Sequence, residues 1–297
     1  MGTEAPDGEV PAAPGRVTRR RALIAGAATV ATVGVAAGGW AVVENVSPVR
    51  RRLHAAGVLD GPDRAVPDVG DIPAVEYGTL DAPDGRRYRW GRWAPAAEPE
   101  LCVVCLHPKG GDAAFPFEAL GVHRFVADAG LPWAVASLDG ATDYWHPRAR
   151  GADPLGAVAD ALLPTLAPPG GPFAVLGWSM GGYGALLLAE RPPAGLVAAV
   201  AASPAVWTSF GDAAAGAFDG AADFRAHDVL AAAGIAALRD GPALRVDCGE
   251  DDVFAGTSRR LLAAVPAAAG GIHPGFHDEG TWRSLLPAQL GWIVSAR

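Results

Sequence analysis

The pattern Gly177-Trp178-Ser179-Met180-Gly181 follows an apolar run at 173–176 and precedes a helix-forming stretch that begins at Met180. A serine on a sharp strand-to-helix turn has strained backbone angles. Glycines two residues before and after it leave room for strand and helix to approach closely. The turn lifts the hydroxyl above the sheet edge, and the helix N-terminus favours negative charge developing nearby. Such a serine suits attack on a carbonyl. Because the chain has 39 glycines, the five-residue pattern alone is a weak signal, and the strand–turn–helix context strengthens it.

A serine hydroxyl needs a histidine base, and the histidine needs an acid that fixes its tautomer. Where this elbow occurs, the chain order is serine, acid, histidine. Downstream of Ser179 stand His227, His273 and His277. His227 falls in a helical segment and reads as structural, and His273 precedes Pro274 and reads as a strand end. His277 lies in Gly275-Phe276-His277-Asp278-Glu279-Gly280, just before the last helix, and is the expected base. The acid is expected after the apolar run 244–248, where Gly249-Glu250-Asp251-Asp252-Val253-Phe254 offers three carboxylates. A Gly-x-x-Asp-x-Phe reading selects Asp252, with Asp251 as its competitor.

The oxyanion of a tetrahedral intermediate wants two preorganised N–H donors. Met180, directly after the nucleophile, is one. The loop Leu106-His107-Pro108-Lys109-Gly110-Gly111-Asp112 should supply the other. Pro108 has no N–H, so Lys109 is expected, with Gly110 next. His107 reads as a brace for the loop, and the Lys109 side chain as a solvated charge. Trp145 and Trp207 follow other strands and are candidate walls of an apolar acyl or alcohol pocket, or ordinary packing. Residues 208–223 read as a short lid or a surface loop.

These residues need a scaffold. Segments 75–80 and 86–93 alternate in polarity around Pro83-Asp84-Gly85 and predict an edge hairpin. Leu101–Leu106, Trp133–Leu138, 173–176, 197–202 and 244–248 are continuous apolar runs, as buried parallel strands should be. Helical patterns at 117–129, 154–166, 180–190, 222–238, 257–265 and 281–294 alternate with them. The fold class is therefore α/β, a mostly parallel central sheet with helices on both faces. Ligands in such sheets bind beyond the carboxyl ends of the strands.

The chain of 297 residues carries 19% charged residues and a net charge of −8, with no basic run after residue 52. A nucleic-acid partner is not expected. Its three cysteines have no zinc-type spacing. Cys102 and Cys105 stand three apart on a strand, about 10 Å from each other, too far to bridge. No metal or cofactor is implied. Near the N-terminus, Arg19-Arg20-Arg21 precedes an uncharged stretch rich in Ala, Val and Gly that reaches Val43. Residues 1–43 read as a twin-arginine-type signal or a retained membrane anchor, 44–74 as a linker with a short helix near 50–56, and 75–297 as the catalytic domain. Either reading of 1–43 puts that domain outside the cytoplasm, with contact to the membrane only through this segment.

The globular part resembles the esterase D branch of the α/β hydrolases, especially exported bacterial members. The resemblance runs from about Val75 to the end. It rests on Leu106-His107-x-x-Gly110-Gly111, Asp143-Tyr144-Trp145-His146-Pro147, Gly177-Trp178-Ser179-Met180-Gly181-Gly182-Tyr183-Gly184, Ser203-Pro204-x-x-Trp207, Gly249-x-x-Asp252-x-Phe254, and His277 with Trp282 and Leu286-Pro287. It departs at Pro108 and Phe276, where glycine is usual in the family. The resemblance implies a Ser179–Asp252–His277 triad and ester hydrolysis of a small-molecule or lipid substrate. Secreted mycolyltransferases share the broad branch, so acyl transfer through the same triad is an alternative. A non-catalytic envelope binding protein is another.

Overall fold

The structure is a computed structural model that describes residues 47–167 and 170–297. The expected signal or anchor, 1–43, lies outside the described residues. No helix among the described residues is long and apolar enough to cross a membrane. The chain divides into two compact units, ending at Leu59 and starting at Asp60. In the first, Ser47–Ala55 forms the short basic helix expected near 50–56. The second begins ahead of the expected start at Val75. Its first residues have no helix or strand, but Val66, Ile72 and Val75 pack on the core, and Asp63 pairs with Arg283.

Eight strands form one sheet: β1 Glu76–Asp81, β2 Arg87–Trp93, β3 Leu101–Leu106, β4 Trp133–Leu138, β5 Phe173–Trp178, β6 Leu196–Ala202, β7 Ala243–Gly249 and β8 Ala269–His273. Their order is β1-β2-β4-β3-β5-β6-β7-β8. β2 runs antiparallel to both β1 and β4, and the remaining pairings are parallel. β3, β4 and β5 are buried at every position, which explains their unbroken apolar sequence. Two apolar cores cover the two faces.

Two expected helices are each split. The segment 117–129 becomes Phe115–Glu118 and Val122–Asp128, broken at Gly121, whose φ is 66°. The segment 222–238 becomes Ala221–Ala226 and Ala232–Asp240, and between them the Asp228 carboxylate accepts the Leu230 N–H at 2.9 Å. Such a side-chain bond competes with helical hydrogen bonding. The helix start at Asp153-Pro154 behaves as expected, with the Asp153 carboxylate accepting the Gly156 N–H. The strand order reverses between β3 and β5, where Leu106 pairs with Gly177. A reversal of this kind opens a crevice at the carboxyl ends of the strands. It brings the loop after Leu106 beside Ser179.

Candidate active site

Ser179 connects β5 to the helix Met180–Glu190 with φ 55° and ψ −113°. These angles are rare for a residue with a side chain and need support from the surroundings. Its N–H donates to the Ala202 carbonyl at 2.9 Å, and its carbonyl accepts from Tyr183 and Ala205. A Cβ at Gly177 would run into the Gly181 carbonyl, and one at Gly181 into the Leu106 carbonyl. Both glycines are therefore required by close backbone approach.

His277 Nε2 lies 2.9 Å from Ser179 Oγ, and His277 Nδ1 lies 2.8 Å from Asp252 Oδ2. The other Asp252 oxygen accepts the Phe254 N–H at 2.8 Å. This fixes the carboxylate and leaves one oxygen for the imidazole. Asp252, rather than Asp251, faces His277, although both acids are buried. The loop carrying His277 is held by a bond from the Phe276 N–H to Thr281 Oγ1, and the Asp278 carboxylate caps the following helix at Thr281 N.

The other two downstream histidines lie elsewhere. His273 Nε2 meets the buried Asp247 at 2.8 Å, together with Arg245 and Gln289. Burial would raise the Asp247 carboxyl, but bonds from His273, Arg245 and Gln289 outweigh it and hold the carboxyl below its ordinary value. His227 pairs with Asp223.

Met180 N–H and Lys109 N–H, the two expected oxyanion donors, meet no backbone acceptor among the described residues. Gly111 N–H donates to the Pro108 carbonyl at 3.0 Å, and Gly110 has φ 88°. Residues 108–111 therefore form a type II turn with Lys109 at its second position. His107 braces this loop. Its Nδ1–H donates to the Pro108 carbonyl at 2.8 Å, and its Nε2 accepts the Gly140 N–H at 2.9 Å. Burial lowers its pKa, which favours the neutral ring that this pairing requires. The Lys109 ammonium reaches 3.4 Å from the Ala215 carbonyl and lies 5.7 Å from the Tyr144 ring centre.

The two tryptophans part company. Trp145 is 0% exposed, packs against the His107 ring, and fills the space above Gly140 and Gly184. It is core packing, not a wall of the space before Ser179. The positive φ at Tyr144 and Trp145 makes a tight reversal that directs the indole inward. Trp207 is half-buried, with its ring 5.6 Å from both Tyr144 and Phe254. Phe254 in turn lies 5.4 Å from the His277 ring. Phe254 thus joins Trp207 beside the base, while Tyr144, buried at 3% exposure, backs Trp207 from the core; the sequence assigns neither a role. Phe254 was visible in the Gly-x-x-Asp-x-Phe pattern, whereas the Tyr144 position depends on backbone angles that the sequence does not display. The segment 208–223 is anchored through Ala217 and Phe218 in the core and an Arg148–Asp219 ion pair.

All three cysteines are free and buried. Burial pushes the Cys102 and Cys248 thiols up to about 12, so they stay protonated and unreactive.

The fold is the α/β-hydrolase fold. No family model matches the sequence, and no curated protein matches it. Solved structures do match in shape. A ferulic acid esterase superposes with a TM-score of 0.62 at 17% identity, over 75% of this chain and 98% of its own. The S-formylglutathione hydrolase of Staphylococcus aureus gives 0.61 at 16%, over 74% and 98%. MPT51 of Mycobacterium tuberculosis gives 0.59 at 19%, over 75% and 99%.

Proposed function

We propose that this protein is a serine hydrolase that cleaves carboxylic esters through an acyl-enzyme on Ser179. The observation that carries the reading is the hydrogen-bonded chain Ser179 Oγ–His277 Nε2, His277 Nδ1–Asp252, at 2.9 and 2.8 Å. Shape similarity to esterases and hydrolases adds to it.

In this mechanism His277 Nε2 takes the proton as Ser179 Oγ attacks the ester carbonyl. Asp252 keeps Nδ1 protonated and stabilises the imidazolium that forms. The N–H groups of Met180 and Lys109 hold the oxyanion. The leaving alcohol collects the proton from Nε2. Water then repeats the sequence on the acyl-enzyme and restores Ser179. Trp207 and Phe254, both only partly buried, offer an apolar flank for the substrate.

Turnover of p-nitrophenyl esters tests the reading. The wild type should hydrolyse them, and Ser179→Ala should lose about 10⁴-fold or more. A fluorophosphonate should label the wild type at Ser179. Equal, slow hydrolysis by both proteins would sink the proposal. Added sugars or glycerol reveal whether an alcohol replaces water as the acyl acceptor. We further propose that the enzyme works outside the cytoplasm, as the twin-arginine pattern at 19–20 suggests. Export of a reporter fused to residues 1–43 should fail when Arg19 and Arg20 become lysine, and unchanged export by that route would rule the signal out.

A further inference from the structure

A second cluster of chemically capable side chains lies outside the triad. His146 comes from the loop after β4, Asp223 from the helix Ala221–Ala226, and His227 from that helix's C-cap. One ligand atom from each lies within 4.8 Å of the others. Asp223 Oδ1 is 2.9 Å from His227 Nδ1 and 3.8 Å from His146 Nδ1.

The surroundings of His146 are rich in acceptor oxygens. The ring is fully buried, and each nitrogen faces a carbonyl: Nε2 the Ala217 oxygen at 2.9 Å, Nδ1 the Pro147 oxygen at 3.0 Å. A neutral imidazole has one N–H. If Nε2–H donates to Ala217, the Nδ1 lone pair points toward the Pro147 carbonyl, with the Asp223 carboxylate close by. Electron-rich atoms then converge with no hydrogen between them. The Arg148 guanidinium nearby is engaged by Asp219 and by the Gly216 and Ala217 carbonyls. A cation at Nδ1 would remove the repulsion.

We propose that His146, Asp223 and His227, with the Pro147 carbonyl, form a zinc-binding site separate from the hydrolytic centre. Two imidazoles and a carboxylate suit zinc better than calcium or magnesium, which prefer oxygen alone. Ligands about 2.0–2.1 Å from a tetrahedral zinc stand about 3.3 Å from each other. The two separations from Asp223 Oδ1, 2.9 and 3.8 Å, bracket that spacing. The bond from His146 Nε2–H to a backbone carbonyl is the outer contact that orients a metal-bound imidazole. A cavity of about 230 Å³ lined by both histidines gives the ion a way in. Bound zinc would fasten the segment around 217–227 to the loop after β4 and stabilise the fold without entering the reaction.

The test uses the untagged full chain stripped with a chelator. Calorimetric titration with zinc should show one saturable site, and cobalt(II) should give the visible absorption of a tetrahedral centre. His227→Gln and Asp223→Asn should each weaken zinc binding by at least the ~10-fold that even outer-contact changes cost. His277→Gln should bind as the wild type does, and zinc should raise the Tm of both wild type and Ser179→Ala. The cobalt spectrum needs no variant, so a misfolded substitution does not spoil the test. Three results would overturn the proposal. One is the lack of saturable binding. Another is binding lost in His277→Gln but kept in His227→Gln. The last is ¹⁵N NMR showing both His146 nitrogens protonated, with signals that zinc leaves unchanged.

Discussion

The Gly275 carbonyl accepts the Asp251 N–H at 3.0 Å, and this bond joins the loop that bears the acid to the loop that bears the base. Gly275 reaches this geometry with φ 142°, a conformation that side chains rarely adopt. A Cβ there would also meet the Thr281 side chain at 2.6 Å, and Thr281 Oγ1 holds the Phe276 N–H. Gly275→Ala should therefore cost about 1–3 kcal/mol of stability. It should also shift His277 from Ser179 and lower kcat with little change in KM. Thermal denaturation and ester kinetics check both. An active variant with wild-type kcat would show that the two loops are not coupled in this way.

The adjacent acids make a sharper test. Asp252→Asn keeps the shape but removes the charge that fixes the His277 tautomer, so kcat should fall about 10⁴-fold. Asp251→Asn should retain activity within about one order of magnitude, because the Asp252 carboxylate meets the imidazole at 2.8 Å. Parallel kinetics of the two variants, each checked for folding by circular dichroism, decide which acid serves the base.

Much of this arrangement was legible in the chain because its signals are local. A continuous apolar run ending in Gly-x-Ser-x-Gly announces an elbow, since buried strands and tight turns each restrict residue type. Pro108 pointed to Lys109 by eliminating a donor. What the sequence hid depends on backbone angles and on packing between distant segments. The reversal at Tyr144 and Trp145 sends both rings into the core, one against His107 and the other against Trp207. The break at His227, which brings it against His146, follows from a side-chain bond at Asp228 that the apolar spacing of 222–238 does not reveal. Val66 and Ile72 sit in a stretch that reads as linker, yet they pack against one of the two apolar cores.

Glu190 makes stability depend on pH. Burial pushes its carboxyl up to about 7, aided by Asp228 and opposed by Arg191. The unfolded chain releases this proton near the ordinary value of 4.5, so between there and 7 the folded state binds more protons. Stability from this group therefore falls as pH rises across that window and levels off above it. Glu190→Gln removes the penalty. The variant should match the wild type near pH 4 and exceed it by about 1–2 kcal/mol at pH 8, after allowance for solvent screening. Thermal melts of both proteins across this range measure the divergence. Parallel curves would assign the pH dependence elsewhere.

The turn at Lys109 allows one oxyanion donor to be deleted by itself. The second position of a type II turn accepts proline, whose fixed φ matches it. Lys109→Pro should then preserve the turn, held by the Gly111 N–H on the Pro108 carbonyl, and remove only an N–H. Loss of one oxyanion donor costs about 10²–10³ in kcat. Lys109→Gln keeps the N–H and removes the charge, so its kcat on neutral esters should stay near that of the wild type. Proline and glutamine variants with equal kcat would place the second donor elsewhere, with the Gly110 N–H next to be tested. A large kcat loss in the glutamine variant would instead tie the ammonium, now resting by Tyr144 and the Ala215 carbonyl, to the reaction.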